Sequence, residues 1–219
     1  MKQVAIYGVG GCGRGVIPLA LDQWHSHSEP FQLVFVDDNP PAEKCNGYRV
    51  LTYKEWIEEP ATSRHISIGI TNSKAREILV NCCQGDGVSF FEVRAANVVQ
   101  LDDVQLGEGA ILCPFVTLTS NIRIGKHFHA NLYSYVEHDC LIGDYVTFAP
   151  GVKCNGNVVI EDHVYIGAGA VIKQGQPDRP LVIGRGAVVG MGAVVTQSVP
   201  SGVTVVGNPA RPLVKAIDA

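Results

Sequence analysis

Residues 104–175, broken after every sixth residue, read VQLGEG AILCPF VTLTSN IRIGKH FHANLY SYVEHD CLIGDY VTFAPG VKCNGN VVIEDH VYIGAG AVIKQG. The first place of each block is apolar or small, from Val104, Ala110, Val116 and Ile122 through Phe128, Ser134 and Cys140 to Ala170. The third place is apolar in every block, from Leu106 and Leu112 to Ile166 and Ile172. A helix would repeat every 3.6 residues and a single strand every two. A period of six is the mark of a β-solenoid, in which each hexapeptide is a short strand plus a turn. Three hexapeptides close one triangular coil, and stacked coils bury a continuous core. The phase breaks at Gln176-Pro-Asp-Arg-Pro180 and resumes at Leu181 as LVIGRG AVVGMG AVVTQS. A five-residue interruption with two prolines and two charges reads as a loop projecting from the solenoid, with about five coils in all.

The remainder agrees with a folded chain. Of 219 residues, 46% are hydrophobic and 17% charged, so apolar surface is ample and disorder is excluded. Glycine contributes 24 residues. A net charge of −4 argues against a nucleic-acid or anionic-membrane partner held by bulk charge. No apolar run approaches the ~18 residues of a membrane span. The start, MKQVAIYGVGG, lacks the apolar stretch of a secretion signal. Seven cysteines is an odd number, consistent with reduced thiols, so a cytoplasmic location is expected.

Residues 1–93 read as a small Rossmann-like α/β domain, and residues 94–219 as the solenoid domain with its C-terminal tail. Strands are expected at Gln3–Tyr7, Phe31–Val36, His65–Ile70 and Val88–Val93. Helices are expected at Val16–Trp24, Tyr53–Glu58 and Ser73–Cys82, with Pro18 in the first turn of its helix and Asn72 or Ser73 as a cap. Alternating strands and helices imply a parallel sheet. Directly after the first strand, Gly8-Val9-Gly10-Gly11-Cys12-Gly13 fits the glycine-rich turn that lets a backbone approach a diphosphate at a helix start. Asp37 and Asp38 close the second strand where acidic residues meet a ribose or base; the same pair also reads as turn chemistry before Asn39-Pro40. Gly69, Ile70 and Asn72 end the third strand on the same edge. A dehydrogenase would use such a fingerprint, yet the rest of the chain is solenoid, with no domain to place a hydride acceptor.

In the solenoid, His138 and Asp139 hold the fifth and sixth places of their hexapeptide, outside the core positions, so the pair belongs at a corner. A histidine followed by a carboxylate suits a general base. Ser134 and Cys140 are core-type positions, which leaves no evident covalent nucleophile. His127 and His163 lie two coils apart on one edge, but a third ligand is missing and no CxxC pair exists, so no metal is expected. His25, His27 and His65 read as surface residues.

With its exit Val199-Pro-Ser-Gly202 and Gly207-Asn-Pro-Ala-Arg211, this repeat resembles the left-handed β-helix hexapeptide acyltransferases. Over nearly the full length the chain resembles a narrower family, the bacterial acetyltransferases that modify nucleotide-linked amino sugars, or sialic acids, with acetyl-CoA. The resemblance implies the left hand of the helix, a homotrimer with active sites between neighbouring helices, and a role in surface-glycan biosynthesis such as lipopolysaccharide O-antigen. It implies His138 as base with Asp139 behind it, and Gly8, Gly10, Gly11, Cys12, Gly13, Asp37, Asp38, Gly69, Ile70 and Asn72 around the nucleotide of the sugar donor, with Asn131 near the acceptor sugar. Many members carry His where this chain has Cys12. It implies acetyl-CoA along Gly156, Gly167, Ala168 and Gly190, with Lys173, Arg185, Lys153, Arg179 and Arg211 as candidates for its phosphates. A further family histidine, nine residues after the base, is Thr147 here, so the donor to the thioester oxygen must change. The acceptor is expected to be a nucleotide-linked 4-amino-4,6-dideoxyhexose acetylated on nitrogen; O-acetylation of a sialic acid is the alternative, and a scaffold or a metal-dependent hydratase the third reading. Exposed aromatics at Phe115, Tyr133, Tyr135 and Tyr145 are candidate trimer anchors.

Overall fold

A computed structural model describes residues 1–26 and 28–213; His27 and residues 214–219 lie outside the described residues. The N-terminal part is a parallel sheet with an antiparallel edge hairpin. Its elements are β1 (Lys2–Tyr7), α1 (Gly11–His25), β2 (Phe31–Val36), β3 (Lys44–Cys45), β4 (Tyr48–Leu51), α2 (Tyr53–Glu58), β5 (Arg64–Ile68), α3 (Ser73–Gly85) and β6 (Ser89–Phe90). The sheet order is β3-β4-β2-β1-β5-β6, with β1 central between β2 and β5. Strand β1 is an apolar run because both its faces are covered. Thr52 and Glu55 form a capping box on α2, and Asn72 caps α3 by accepting from the Lys74 and Ala75 amides.

Helix α1 begins at Gly11, five residues before the start expected from sequence, so Pro18 lies inside it. The proline is exposed, so the Arg14 carbonyl it leaves without a donor faces water, and the helix continues. The expected strand Val88–Val93 divides in two. Ser89–Phe90 joins β5, whereas Val93–Arg94 pairs with Ile111–Leu112 as the first strand of the solenoid. The repeat therefore starts two hexapeptides before Val104, in the coil that Val104–Leu106 completes. Hydropathy hides that coil because Arg94 and Gln100 hold inward places at the open end, hydrogen-bonded to each other at 2.9 Å.

The solenoid has three faces of parallel strands. Face one stacks Val93–Arg94, Ile111–Leu112, His129–Ala130, Thr147–Phe148, Tyr165–Ile166 and Val188–Val189; face two runs from Val99–Gln100 through Tyr135–Val136 to Val194–Val195; face three runs from Val104–Leu106 through Leu141–Ile142 to Leu181–Ile183. Across the interruption the pairing moves from Val158 to Leu181 and from Tyr165 to Val188, so the five extra residues leave the register intact. They form a tight turn in which Gln176 and Arg179 exchange backbone hydrogen bonds at 3.0 Å. Inside, Phe128 packs edge-on against Phe148, and the buried Ser134 hydroxyl donates to the Ala149 carbonyl.

Corner residues turn through left-handed backbone and stack in columns. Asp103, Asn121, Asp139 and Asn157 line the edge between faces two and three; Phe115, Tyr133, Gly151, Gly169 and Gly192 line the edge between faces one and two; Gly109, His127, Tyr145, His163 and Gly186 line the third. The N-terminal domain docks on this last edge and on face one. Phe90 meets the His127 ring edge-on, and His127, Tyr145 and His163 stack at 5.5 and 5.3 Å. Tyr145 therefore belongs to the domain junction, in one buried cluster with residues of the N-terminal sheet, and is not a free anchor for another subunit. The same ring separates His127 from His163, so the two imidazoles share a stack and not a metal. His65 is half-buried against Trp24 and not a surface residue.

Two outcomes follow from this packing. Gly192 has φ +66° with open space where a Cβ would stand, so Gly192→Val should cost about 1–2 kcal/mol in denaturant unfolding through backbone strain alone. Burial, helped by Arg76 and Lys126, pushes His127 down to about 4. The unfolded chain therefore binds that proton first, and stability present above about pH 6.5 is lost as pH falls toward 4. His127→Phe should remove about 3 kcal/mol of the acid loss measured in thermal melts between those limits.

Candidate active site

Gly8, with φ +101°, ends β1 and turns the chain into α1. A Cβ on Gly13 would stand 1.8 Å from the Gly8 carbonyl oxygen, and one on Gly69 would stand 3.0 Å from the Gly13 Cα. These three glycines let β1, α1 and the β5 loop touch. Gly10 and Gly11 differ: nothing lies within 4 Å of either Cβ position. Helix α1 has no side-chain cap and no acid in its first turn. Its first backbone N–H groups thus face open space, a ready site for an anion. Asp37 holds this loop, accepting from the Val9 amide at 3.0 Å and the Asn39 amide at 3.1 Å. Asp38 accepts from the Tyr7 hydroxyl and, at 2.9 Å, from the Tyr53 amide. Asp37 thus serves the turn before Asn39-Pro40, whereas Asp38 ties β1 to the start of α2. Ile70 packs beside Gly8, and Asn72 is the α3 cap.

Cys12 lies where α1 meets face one. Burial pushes its thiol up, which keeps it protonated and argues against a reactive thiolate. Across from Cys12 and Thr71 stand Asn131 and Thr147. The Thr147 hydroxyl donates to the Thr71 carbonyl at 3.3 Å and accepts from Arg76 at 3.0 Å. It is thus engaged inside the chain. Arg76, on α3, has no signal in the sequence pattern, yet it is fully buried and has no carboxylate partner among the described residues. Its guanidinium donates to the carbonyls of Ile70, Thr71 and Tyr145 as well as to Thr147. Burial lowers it to about 10, so it remains a cation at neutral pH. It ties the β5 loop to the solenoid.

His138 lies elsewhere, beside the edge between faces two and three, opposite face one. Its Nδ1 is 2.8 Å from Asp139 Oδ2, and Asn121 donates to the other carboxylate oxygen at 3.2 Å. The His138 bond first, and Asn121 second, hold the Asp139 carboxyl below its usual range. Asp139 is the left-handed corner residue, with φ 57°. Gly156 lies one coil above, and a Cβ there would meet the His138 ring at 2.5 Å. Among the described residues His138 Nε2 has no partner. An open groove of about 460 Å³ runs from Asp139 past Asn157 to Gln176, Pro177 and Pro180, so the projecting loop stands beside this pair.

The remaining candidates divide between edges. Gly167, Ala168 and Gly190 stack beside the corner between faces one and two, where a Cβ on Gly167 would meet the next coil at 2.5 Å. Lys173 and Arg179 line a groove on the His138 edge, above Gly156. Arg185 lies on the edge nearest the N-terminal domain, paired with Asp162 at 2.6 Å. One chain therefore carries the anion loop, the glycine column and the histidine pair on different sides.

The chain matches the PglD N-terminal domain over residues 3–82 and the hexapeptide repeat of succinyl-transferase over residues 157–197. It is 49% identical over 217 residues to a GDP-perosamine N-acetyltransferase of Escherichia coli O157:H7, covering 99% of this chain and 98% of that one. The chain belongs to the left-handed β-helix acyltransferases of the nucleotide-amino-sugar N-acetyltransferase family. Among solved structures it resembles WeeI from Acinetobacter baumannii AYE, at 58% identity and a TM-score of 0.94, covering 97% of this chain and 100% of that one. It also resembles the acetyltransferase domain of PglB from Neisseria gonorrhoeae FA1090 in complex with acetyl coenzyme A, at 25% identity and a TM-score of 0.84 over 96% and 98% of the two chains. The enzyme is thus an acyltransferase. No helix among the described residues is long and apolar enough to cross a membrane.

Arg76 gives this acyltransferase a test of its junction. Arg76→Met removes four hydrogen bonds and leaves buried carbonyls without a donor. A loss of about 3 kcal/mol is expected in thermal or denaturant unfolding.

Proposed function

We propose that the enzyme transfers the acetyl group of acetyl-CoA to the amino group of a nucleotide-linked 4-amino-4,6-dideoxyhexose. A GDP sugar is favoured by the E. coli relative, whose name gives GDP-perosamine as its substrate. The observation that carries the reading is the pairing of an uncapped glycine-rich helix start with a corner histidine whose Nδ1 is held by a carboxylate. The first accepts a diphosphate; a free sialic acid would bring none, which disfavours O-acetylation of that sugar.

The chemistry follows from the groups. The neutral amine attacks the thioester carbonyl, a C–N bond forms, and the tetrahedral intermediate expels the CoA thiolate as the C–S bond breaks. His138 Nε2 takes the ammonium proton and returns it to the sulfur. Asp139 keeps the proton on Nδ1, fixing the useful tautomer, and its lowered range keeps it ionised at working pH. Thr147 has its hydroxyl engaged at the domain junction. The Gly156 N–H, one coil above His138 and without a backbone acceptor among the described residues, is the better donor to the thioester oxygen. Gly156 lacks a side chain because any Cβ would displace the imidazole.

The anion loop and His138 lie on opposite sides of one chain, so we assign the complete site to the junction between copies of a homotrimer. Phe115 and Tyr133, half-exposed and stacked at 4.7 Å on a corner, are the anchors we assign to that contact. We place the enzyme in the cytoplasm, with its seven free thiols, supplying acetylated sugars for surface glycans.

Thiol release from acetyl-CoA with GDP-perosamine tests the reading. His138→Ala should lower turnover about 10²–10⁴-fold with nucleotide-sugar binding retained. Gly11→Glu, which puts a carboxylate into the open anion loop without a clash, should abolish nucleotide binding. Neither variant alone should turn over, whereas co-refolded equal mixtures should recover about a quarter of wild-type sites if each site takes His138 from one chain and the loop from the next. No recovery would place each site within one chain.

A further inference from the structure

The outward row of face one runs Ile111, His129, Thr147, Tyr165. Its first three members are buried beneath the N-terminal domain. Between that row and the nucleotide loops lies a cavity of about 120 Å³, bounded by Cys12 and Thr71 on one side and by Ile111, Cys113, His129 and Asn131 on the other.

His129 is the anomaly in this wall. It is 4% exposed, yet neither ring nitrogen has a partner at full hydrogen-bond geometry, and the Ile68 carbonyl acts on the ring only as a weak acceptor. Thr147, next in the row, has its hydroxyl fully engaged. Burial first, and then the Arg76 charge, hold the imidazole well below its usual range, so it is neutral and keeps one lone pair. An unmade buried hydrogen bond is costly, and an apolar side chain would suit the fold better at this place; Ile111 occupies the same row one coil earlier. The cavity opens beside Cys12 in the first turn of α1, on the solenoid side of the anion loop. A diphosphate seated on that loop stands next to Cys12, which lines the cavity, so the group it carries is within reach of face one. At roughly 30 Å³ per water, the cavity holds the edge of a sugar ring and not a whole hexose.

We propose that His129 hydrogen-bonds to a ring hydroxyl of the nucleotide-linked sugar, reading that edge of the substrate from the wall of this cavity. The proposal rests on the nucleotide-sugar reading above. It adds a specificity residue distant from His138 and not involved in proton transfer.

The test uses the full-length protein with His129→Leu and His129→Gln, measured by titration calorimetry with GDP and with GDP-perosamine, by thermal melting and by steady-state kinetics. His129→Leu should melt no lower than the parent. It should bind GDP within twofold of the parent, lose tenfold or more in GDP-perosamine affinity, and keep its KM for acetyl-CoA. His129→Gln, which retains an acceptor, should recover part of the loss. Unchanged GDP-perosamine affinity in His129→Leu would overturn the proposal, because the cavity would then hold water only. A lower melting temperature with equal losses for GDP and GDP-perosamine would also overturn it, assigning His129 to packing. A parent that binds GDP-perosamine no better than GDP overturns it while leaving the nucleotide site standing; a parent that binds neither overturns the nucleotide-sugar reading itself.

Discussion

At most corners of the solenoid the chain changes direction at one left-handed residue, at φ between 50° and 72°, and these residues recur at six-residue spacing within the repeat. L-residues resist this backbone, so glycine, asparagine and aspartate are frequent there, and the larger residues that remain are held by stacking. Once one residue in six is so placed, the two inward positions and the outward rows follow. Chemistry at a corner is thereby ordered into columns. Asp139 stands above Asn121 and below Asn157 because all three are corner residues of successive coils, and Gly156 overlies the His138 ring for the same reason. Even the five-residue interruption obeys the constraint, entering and leaving at the height of one coil.

The second organising contact is the junction between the sheet domain and the solenoid. It is built on a histidine–tyrosine–histidine stack and a buried arginine whose hydrogen-bond partners among the described residues are carbonyls and a hydroxyl. A cation so placed is held by oriented dipoles and not by an opposite charge, so its field is not cancelled locally. It lies behind Cys12 and the anion loop, depresses the nearby imidazoles, and fixes the Thr71 carbonyl against face one. The junction is thus both a structural seam and one wall of the cavity beside Cys12.

Division of the working groups over different sides has a chemical logic. A diphosphate needs N–H donors from a helix start, which a solenoid of strands does not offer. A base that works on a thioester needs a corner, where a side chain can leave the wall without breaking a strand ladder. Combining the two in one site requires either a long excursion of the chain or a second copy, and a triangular prism with flat sides makes the second copy geometrically simple.

Much of this was legible in the chain itself. Period six declared the solenoid, the five-residue break declared the loop, and glycine spacing after an apolar run declared the tight turn into the first helix. His138 and Asp139 could be placed at a corner by counting alone. The reading failed where polar residues hold inward places, as at Arg94 and Gln100, and where a helix begins on glycines, as at Gly11. It also could not say which use the Asp37 and Asp38 carboxylates serve, because turn and ligand chemistry need the same residue type. Arg76, His129 and the engagement of Thr147 were invisible, since each depends on which solenoid side the sheet domain covers. Periodicity is a property of neighbouring residues along the chain and determines local geometry. Burial of a cation and an imaginary line from a helix start to a histidine one fold away are properties of distant segments brought together, and only the tertiary structure decides them.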